Sequence, residues 1–149
     1  MSRSKLVFPN HQPLFSTQIA IRITDINYGN HLGNDKVLSI IHEARVQLLR
    51  ANNMSELNAG GVSLILGEAL IIYKNEGFYG DILTIDMWAN DIGNASFDLL
   101  YKLTTPRADQ VVTVAQAKTT MICFDYTNRK TQLITDHLRS ILDQGNSGI

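Results

Sequence analysis

The sequence predicts an α+β fold in which an antiparallel sheet wraps around one long central helix. One observation is the run of residues 36–51, which is apolar over a wider stripe than a surface helix needs and should be largely covered. A second is a series of segments in which apolar and polar residues alternate, which is the period of half-buried strands. A third is that the later strands are joined by short connections, and these favour antiparallel pairing between neighbouring strands.

The elements can be assigned in chain order. A first strand is predicted over residues 15–23, because residues 15, 19, 21 and 23 form one apolar face. The helix follows over residues 36–51, and Asn34 or Asp35 could cap it, since a short side-chain oxygen accepts hydrogen bonds from the first helical amides. Four more strands and a short final helix, capped by Thr135 or Asp136, are then predicted over residues 62–74, 82–90, 95–104, 111–125 and 134–144.

Three residues inside these elements carry further predictions. Gly67 interrupts the second strand and indicates a β-bulge or a close backbone approach. Arg45 falls within the apolar stripe of the helix, and it is expected to snorkel towards a carboxylate partner while its stem packs on apolar neighbours. Cys123 has no basic neighbour in the sequence, so it is interpreted as a small buried hydrophobic residue rather than a nucleophile.

Composition excludes several classes of protein. The length predicts a single domain over residues 1–149 with its core at about 15–140, and no linker or internal repeat is visible. The formal net charge of −1 and the lack of a basic block argue against nucleic-acid binding. No run is apolar enough for a membrane span or a signal peptide, and the single cysteine favours a reducing, cytoplasmic setting. The scattered histidines predict no metal site.

Residues 25–34 form a polar loop with two glycines directly before the helix. Ordering such a loop is entropically costly, because glycine loses more backbone freedom than other residues. The loop leads into a helix start, where the first backbone N–H groups lack helical partners and favour a carbonyl oxygen or a developing negative charge. His31 lies beside these amides in the sequence. The loop is therefore the candidate functional site.

The order of residues in this loop and helix resembles the hotdog-fold thioesterases, the family that includes 4-hydroxybenzoyl-CoA thioesterase and short acyl-CoA thioesterases. Gly80-Asp81 and Asp125 add to the resemblance further along the chain. The resemblance implies a hotdog fold and an enzyme that hydrolyses an acyl thioester to a carboxylic acid and a free thiol. The residues that carry it most are Arg22, Asp25, Asn27, Asn30-His31, Asn34 and Glu43-Ala44-Arg45.

Two positions depart from the family pattern. Many relatives have an aspartate, acting as nucleophile or general base, where this chain has Asn27, and a glycine where it has Asn30. An amide can fill neither chemical role, so the resemblance implies that Asn27 positions water or substrate. His31 is then the candidate general base, because imidazole suits proton transfer near neutral pH.

The remaining candidates complete the expected site. Asp25 could orient His31, and Glu43 is a second candidate base that could act across a dimer interface. The amides that polarise the thioester carbonyl are expected in the substrate-binding set Asn30, Leu32, Gly33 and Asn34. Structural roles stay open beside these: Asp25 as a loop cap, Asn27 and Asn30 as turn formers, Asn34 as a helix cap, and Glu43 as an ion-pair partner.

The resemblance also implies which partners the protein has. No metal or redox cofactor is expected, because coenzyme A arrives as part of the substrate. The expected partners are an acyl-CoA or acyl-carrier thioester and further copies of the chain, forming a homodimer or homotetramer with sites built from two subunits. Two alternatives stay open, namely a related hotdog hydratase or dehydratase, and a non-catalytic protein that binds acyl thioesters.

Overall fold

A computed structural model of the chain describes residues 3–144 and shows, within that range, a six-stranded antiparallel sheet with two helices. The predicted α+β architecture is confirmed. Neither helix in the described range combines the length and the apolarity needed to cross a membrane. The elements are β1 (Phe15–Ala20), α1 (Asn34–Ala51), β2 (Ser63–Tyr73), β3 (Ile82–Asn90), β4 (Ser96–Arg107), β5 (Gln110–Asp125), β6 (Lys130–Thr131) and α2 (Asp136–Leu142).

Alternation along the strands gives the sheet an inner face that packs against α1. One row of this face crosses five strands in register: Phe15, Met87, Tyr101, Ala117 and Ile71. The three central members of that row have no exposed surface, and α1 meets the inner face with residues 41 and 44, which are also completely buried. Each large apolar side chain buried in this way contributes about 1.5–3 kcal/mol to the stability of the folded state, relative to leaving it exposed.

The N-terminal segment, to which the sequence assigned no element, covers part of the outer face of the sheet. The indole N–H of Trp88 donates to the carbonyl of His11 at 3.0 Å. The ring of Phe8 meets that of Trp88 edge-on, with the ring centres 5.3 Å apart, and the ammonium of Lys102 lies 5.4 Å from the centre of the Phe8 ring. These contacts leave Trp88 only 7% exposed on the face away from α1.

The strand order is β1-β3-β4-β5-β2, with β6 also beside β5. Neighbouring pairing is confirmed for β3–β4 and β4–β5, but it is wrong for β2, which pairs with β5 instead of β3. The connection of residues 74–81 crosses the start of α1 instead of forming a hairpin, and the amide of Leu32 donates to the carbonyl of Gly77 at 2.7 Å. The crossing places β1 and β2 at opposite edges of the sheet.

Several element ends differ from the prediction. Helix α1 begins at Asn34, and its N-cap is Gly33 with no side-chain hydrogen bond. The predicted caps Asn34 and Asp35 are therefore wrong, because both residues lie inside the first turn. In α2 the predicted cap is confirmed, since the hydroxyl of Thr135 accepts from the amide of Leu138 at 3.2 Å. The short strand β6 was not predicted, and β1 ends before the 3-10 turn of residues 23–25.

Arg45 is a charged side chain in the core, with 4% of its surface exposed. Its Nε donates to Glu56 at 3.3 Å, which confirms the predicted carboxylate partner. The guanidinium does not snorkel to solvent, because its Nη1 donates to the hydroxyl of Tyr101 at 3.1 Å. That hydroxyl also shares a hydrogen bond with Thr119 at 2.7 Å. Burial raises the pKa of Tyr101, and the guanidinium of Arg45 only partly opposes the shift.

Glu56→Gln should lower the free energy of unfolding by about 1–2 kcal/mol, because it weakens a charge-assisted hydrogen bond to a buried guanidinium. The loss stays modest because the Glu56 side chain is 26% exposed and water screens its charge. Urea denaturation measures the change. Glu76→Gln is the matched control, since Glu76 is exposed and its carboxylate makes no ion pair within residues 3–144. Equal destabilisation by the two substitutions would contradict this role for Glu56.

Gly77→Ala should lower the free energy of unfolding by about 1–2 kcal/mol, through overpacking where the 74–81 connection crosses α1. A Cβ at Gly77 would lie 2.8 Å from Cδ1 of the buried Ile21 and 3.3 Å from Cβ of Leu32. Thermal and urea unfolding test this, with Gly93→Ala as control because its Cβ would make only ordinary contacts, the nearest at 3.5 Å from the Ser96 carbonyl oxygen. The crossing is not close-packed if Gly77→Ala is as stable as the control.

Candidate functional site

A pocket of about 220 Å³ opens at the start of α1. One wall comes from the loop and the first turn of α1, and the other comes from the end of β2 and the connection that follows it. Of the predicted site residues, the pocket brings together His31, Leu32 and Asn34. The remaining lining residues are Val37, Tyr73, Lys74, Asn75, Glu76, Gly77 and Val114.

His31 is half-buried, and one of its ring nitrogens lies beside a backbone carbonyl. Its Nδ1 lies 3.2 Å from the carbonyl oxygen of Leu32. A carbonyl can only accept, so Nδ1 carries the hydrogen and Nε2 keeps a basic lone pair. The Nε2 atom lies above Gly29, where an added Cβ would come within 3.2 Å of it. The glycine thus leaves the basic nitrogen uncrowded.

The loop amides are mostly engaged within the protein. The amides of Asn30, His31, Leu32 and Gly33 donate to acceptors in the loop or in the 74–81 connection, at distances between 2.7 and 3.5 Å. These amides are therefore engaged within the protein in the described structure, and the substrate-binding role of Asn30, Leu32 and Gly33 stays a prediction. Within residues 3–144, the Asn34 amide is the one of this group without an acceptor, and Asn34 lines the pocket. It also lies at the positive end of the α1 dipole.

Asn27 and Asn30 form the turn that carries His31. The Asn27 Oδ1 accepts from the amide of Gly29 at 2.9 Å and from that of His31 at 3.5 Å. The Asn27 amide in turn donates to the His31 carbonyl at 3.0 Å. Asn30 takes a left-handed conformation, with φ of 65°, which asparagine tolerates better than most residues. Asn27 therefore contacts the backbone of His31 and holds the turn from which the imidazole projects.

Asp25 and Glu43 lie together in a second groove, of about 410 Å³, between β1 and α1. Asp25 is 4% exposed, and its carboxylate accepts from the Arg22 amide at 2.9 Å and pairs with the Arg22 guanidinium at 3.5 Å. The expected hydrogen bond between Asp25 and His31 is not formed in the described structure. The Glu43 carboxylate accepts from the side-chain amide of Gln47 at 2.7 Å, so its observed partner is neutral.

The sequence analysis missed Tyr73, whose hydroxyl donates to the Asn34 carbonyl at 2.9 Å. Its only sequence signal was an aromatic residue near the end of a predicted strand. Charges at the pocket are mixed, with Lys74 and Glu76 both lining it. In the part of the chain that the structure describes, no three His, Cys, Asp or Glu side chains come together as a possible metal site.

Comparisons with known proteins agree with this architecture. A model of the thioesterase-like superfamily matches residues 21–142. The chain is similar to Slr0204, a 1,4-dihydroxy-2-naphthoyl-CoA thioesterase from Synechocystis, with a TM-score of 0.78, 18% identity, and coverage of 90% of this chain and 98% of that one. It is also similar to a thioesterase-superfamily protein from Jannaschia sp. CCS1, with a TM-score of 0.77, 14% identity, and coverage of 89% and 82%. No curated protein matches the chain significantly. Because the family model covers most of the chain, including the loop, β2 to β6 and both helices, the chain belongs to the thioesterase-like superfamily.

Proposed function

We propose that this protein hydrolyses an acyl-CoA thioester to a carboxylic acid and free coenzyme A in the pocket at the start of α1. The observation that supports this most is that one pocket is lined by both His31 and Asn34, the first residue of α1, whose amide has no acceptor within residues 3–144. Thioester hydrolysis needs a base for water and a donor for the oxyanion, and these two groups can fill those roles. Membership of the thioesterase-like superfamily supports the same reaction.

In the proposed reaction, Nε2 of His31 accepts a proton from water as the oxygen attacks the thioester carbon. The carbonyl oxygen becomes an oxyanion, which the Asn34 amide and the α1 dipole stabilise. When the tetrahedral intermediate collapses, the carbon–sulfur bond breaks, and the imidazolium returns its proton to the departing thiolate. The Leu32 carbonyl keeps Nδ1 protonated throughout, so the ring does not change tautomer. These steps use no metal or redox group.

A non-catalytic protein that binds acyl thioesters is the second candidate. It is favoured by the position of Asp25 and Glu43, since both carboxylates lie in the groove beside β1 and neither lines the His31 pocket. A pocket without these two carboxylates can still bind an acyl thioester through its apolar wall and its helix-start amide. Thiol release separates the two candidates.

His31→Ala should lower kcat by about 10²–10⁴-fold, the usual loss when a general base is removed. Its thermal unfolding should match the wild type, because the half-buried ring makes one hydrogen bond and no core contact of the kind that stabilises the fold. Steady-state kinetics on the best substrate of an acyl-CoA chain-length series measure the change. His137→Ala is the matched control, because His137 is exposed on α2 and does not line the pocket.

A disulfide reagent that reports free thiols suits this assay. Cys123 has no exposed surface, and burial raises its pKa to about 11, so the native protein should contribute little signal at pH 8. Wild-type turnover in His31→Ala would remove this residue from the mechanism. Saturable acyl-CoA binding by the wild type without thiol release would overturn the hydrolase and support the binding protein.

We also propose that two copies of the chain pair along β2. In residues 3–144, β2 pairs with β5 on one side, and no strand pairs with its other side, where the Leu64 amide donates to the Glu56 carbonyl at 2.7 Å. Such an edge is a template for another strand. An adjoining surface groove of about 470 Å³ is lined by four exposed apolar side chains, Leu38, Leu57, Leu66 and Tyr126, and by polar ones that include His42 and Glu56. A second copy, placed antiparallel along β2, would satisfy the edge and cover these side chains together.

Leu66→Lys should convert this dimer, or a tetramer built from it, to smaller species. The substitution places a charge in an apolar interface, and lysine is a residue that natural edge strands use to prevent pairing. Leu66 is 42% exposed in the single chain, which leaves room for the longer side chain. Sedimentation velocity at micromolar concentration measures the change, with Leu133→Lys as control because Leu133 is 72% exposed and lies outside β2. A monomeric wild type would contradict the proposal.

A further inference from the structure

Two hydrogen bonds join the β2 side of the pocket to the helix side. The Leu32 amide donates to the Gly77 carbonyl at 2.7 Å, which holds the loop against the 74–81 connection. The hydroxyl of Tyr73, the last residue of β2, donates to the carbonyl of Asn34, the first residue of α1, at 2.9 Å. The Tyr73 bond thus acts on the residue whose amide is assigned to the oxyanion.

The β-bulge at Gly67 determines that Tyr73 faces the helix. The register of β2 against β5 shifts between Leu66 and Glu68. Before the bulge, Leu64 and Leu66 pair with residues 123 and 121, which lie on the inner face of β5. After the bulge, the β2 residues that pair with inner-face positions of β5 are 69, 71 and 73. A bulge inserts one unpaired residue and so reverses which positions point inwards. Without it, position 72 would face α1 and the phenol would lie on the outer side.

Tyr73 contributes little to the core of the protein. It is 49% exposed, whereas its row neighbours across the sheet, Ala115, Leu103 and Ile85, have no exposed surface. Its ring lines the pocket instead, beside Val114 and opposite the first turn of α1. A half-exposed tyrosine at a strand end could be replaced by many residues without loss of packing. Its bond to Asn34 therefore has a local effect, on the start of the helix.

We propose that Tyr73 is a positioning residue of the hydrolysis assigned to this pocket. Its hydroxyl holds the first turn of α1 at a fixed distance from the end of β2, and so it aims the Asn34 amide at the developing oxyanion. This inference rests on the proposed function. Because the oxyanion exists only as the reaction proceeds, loss of the hydroxyl should affect the chemical step more than substrate binding.

Tyr73→Phe tests the proposal, because it keeps the ring and removes only the hydroxyl. We expect kcat to fall about three- to ten-fold, the size expected for one lost hydrogen bond. KM should stay within about two-fold of the wild type, because the ring still forms the pocket wall. Tyr79→Phe is the matched control, since Tyr79 lies in the adjoining connection, is 65% exposed, and has no hydroxyl hydrogen bond within residues 3–144.

Hydrogen exchange supplies a second readout that does not depend on turnover. The readout is the hydrogen-bonded amides at the start of α1, namely that of Lys36, which donates to the Gly33 carbonyl at 3.0 Å, and that of residue 38, the first that can donate to a carbonyl of α1 four residues earlier. These amides should exchange about three- to ten-fold faster in Tyr73→Phe than in the wild type or Tyr79→Phe. Amides near the other end of α1, at residues 44–49, should be unchanged. Faster exchange along the whole helix would indicate general destabilisation and would overturn the local role.

The outcomes separate this inference from the proposed function. Unchanged kcat and unchanged exchange in Tyr73→Phe would overturn the positioning role while leaving the hydrolase intact. A higher KM with unchanged kcat would make Tyr73 a substrate contact and would also overturn it. If the wild type releases no thiol from any acyl-CoA, the proposed function fails, and a catalytic positioning role for Tyr73 fails with it, whatever the exchange shows.

Discussion

The packing of α1 against the inner face of the sheet is the interaction on which the rest of the structure depends. Ile41 and Ala44 have no exposed surface, so the helix cannot slide or rotate without opening the core. A helix held this firmly presents its first turn at a fixed place. The loop of residues 25–34 and the connection of residues 74–81 can then be ordered against that turn, which is why the pocket forms at the helix start.

The same packing buries the guanidinium of Arg45 in an apolar environment. Neighbouring residues supply a counter-charge and hydrogen-bond acceptors for it. Arg45 reaches Glu56 in the connection after α1 and Tyr101 on β4, and the Glu56 carboxylate also contacts His42 at 2.6 Å. Within the described residues, no buried side-chain nitrogen or oxygen lacks a hydrogen-bond partner. A satisfied polar network is directional, unlike apolar packing, so it helps to define how α1 is rotated against the sheet.

The chemistry of the pocket follows from how the fold separates its polar groups. The imidazole of His31 is oriented by the neutral Leu32 carbonyl, whereas the carboxylates of Asp25 and Glu43 lie in the groove beside β1. A carbonyl determines the tautomer but stabilises an imidazolium less than a carboxylate would. In the proposed reaction the oxyanion donor is the amide of Asn34, which lies at the positive end of the α1 dipole.

The sequence by itself determined the structural features that depend on residues close together in the chain. The alternation of apolar residues predicted five strands, and the helical period predicted α1. Individual residues predicted the bulge at Gly67, the helix cap at Thr135 and a carboxylate partner for Arg45. The tertiary structure alone decided that β2 pairs with β5, that most loop amides are engaged, and that Asp25 turns away from His31. The physical reason is that periodicity and helix capping depend on residues close together in the chain. Segments distant in the chain decide which strands pair, which face of the sheet a side chain takes after a bulge, and which acceptor each amide finds.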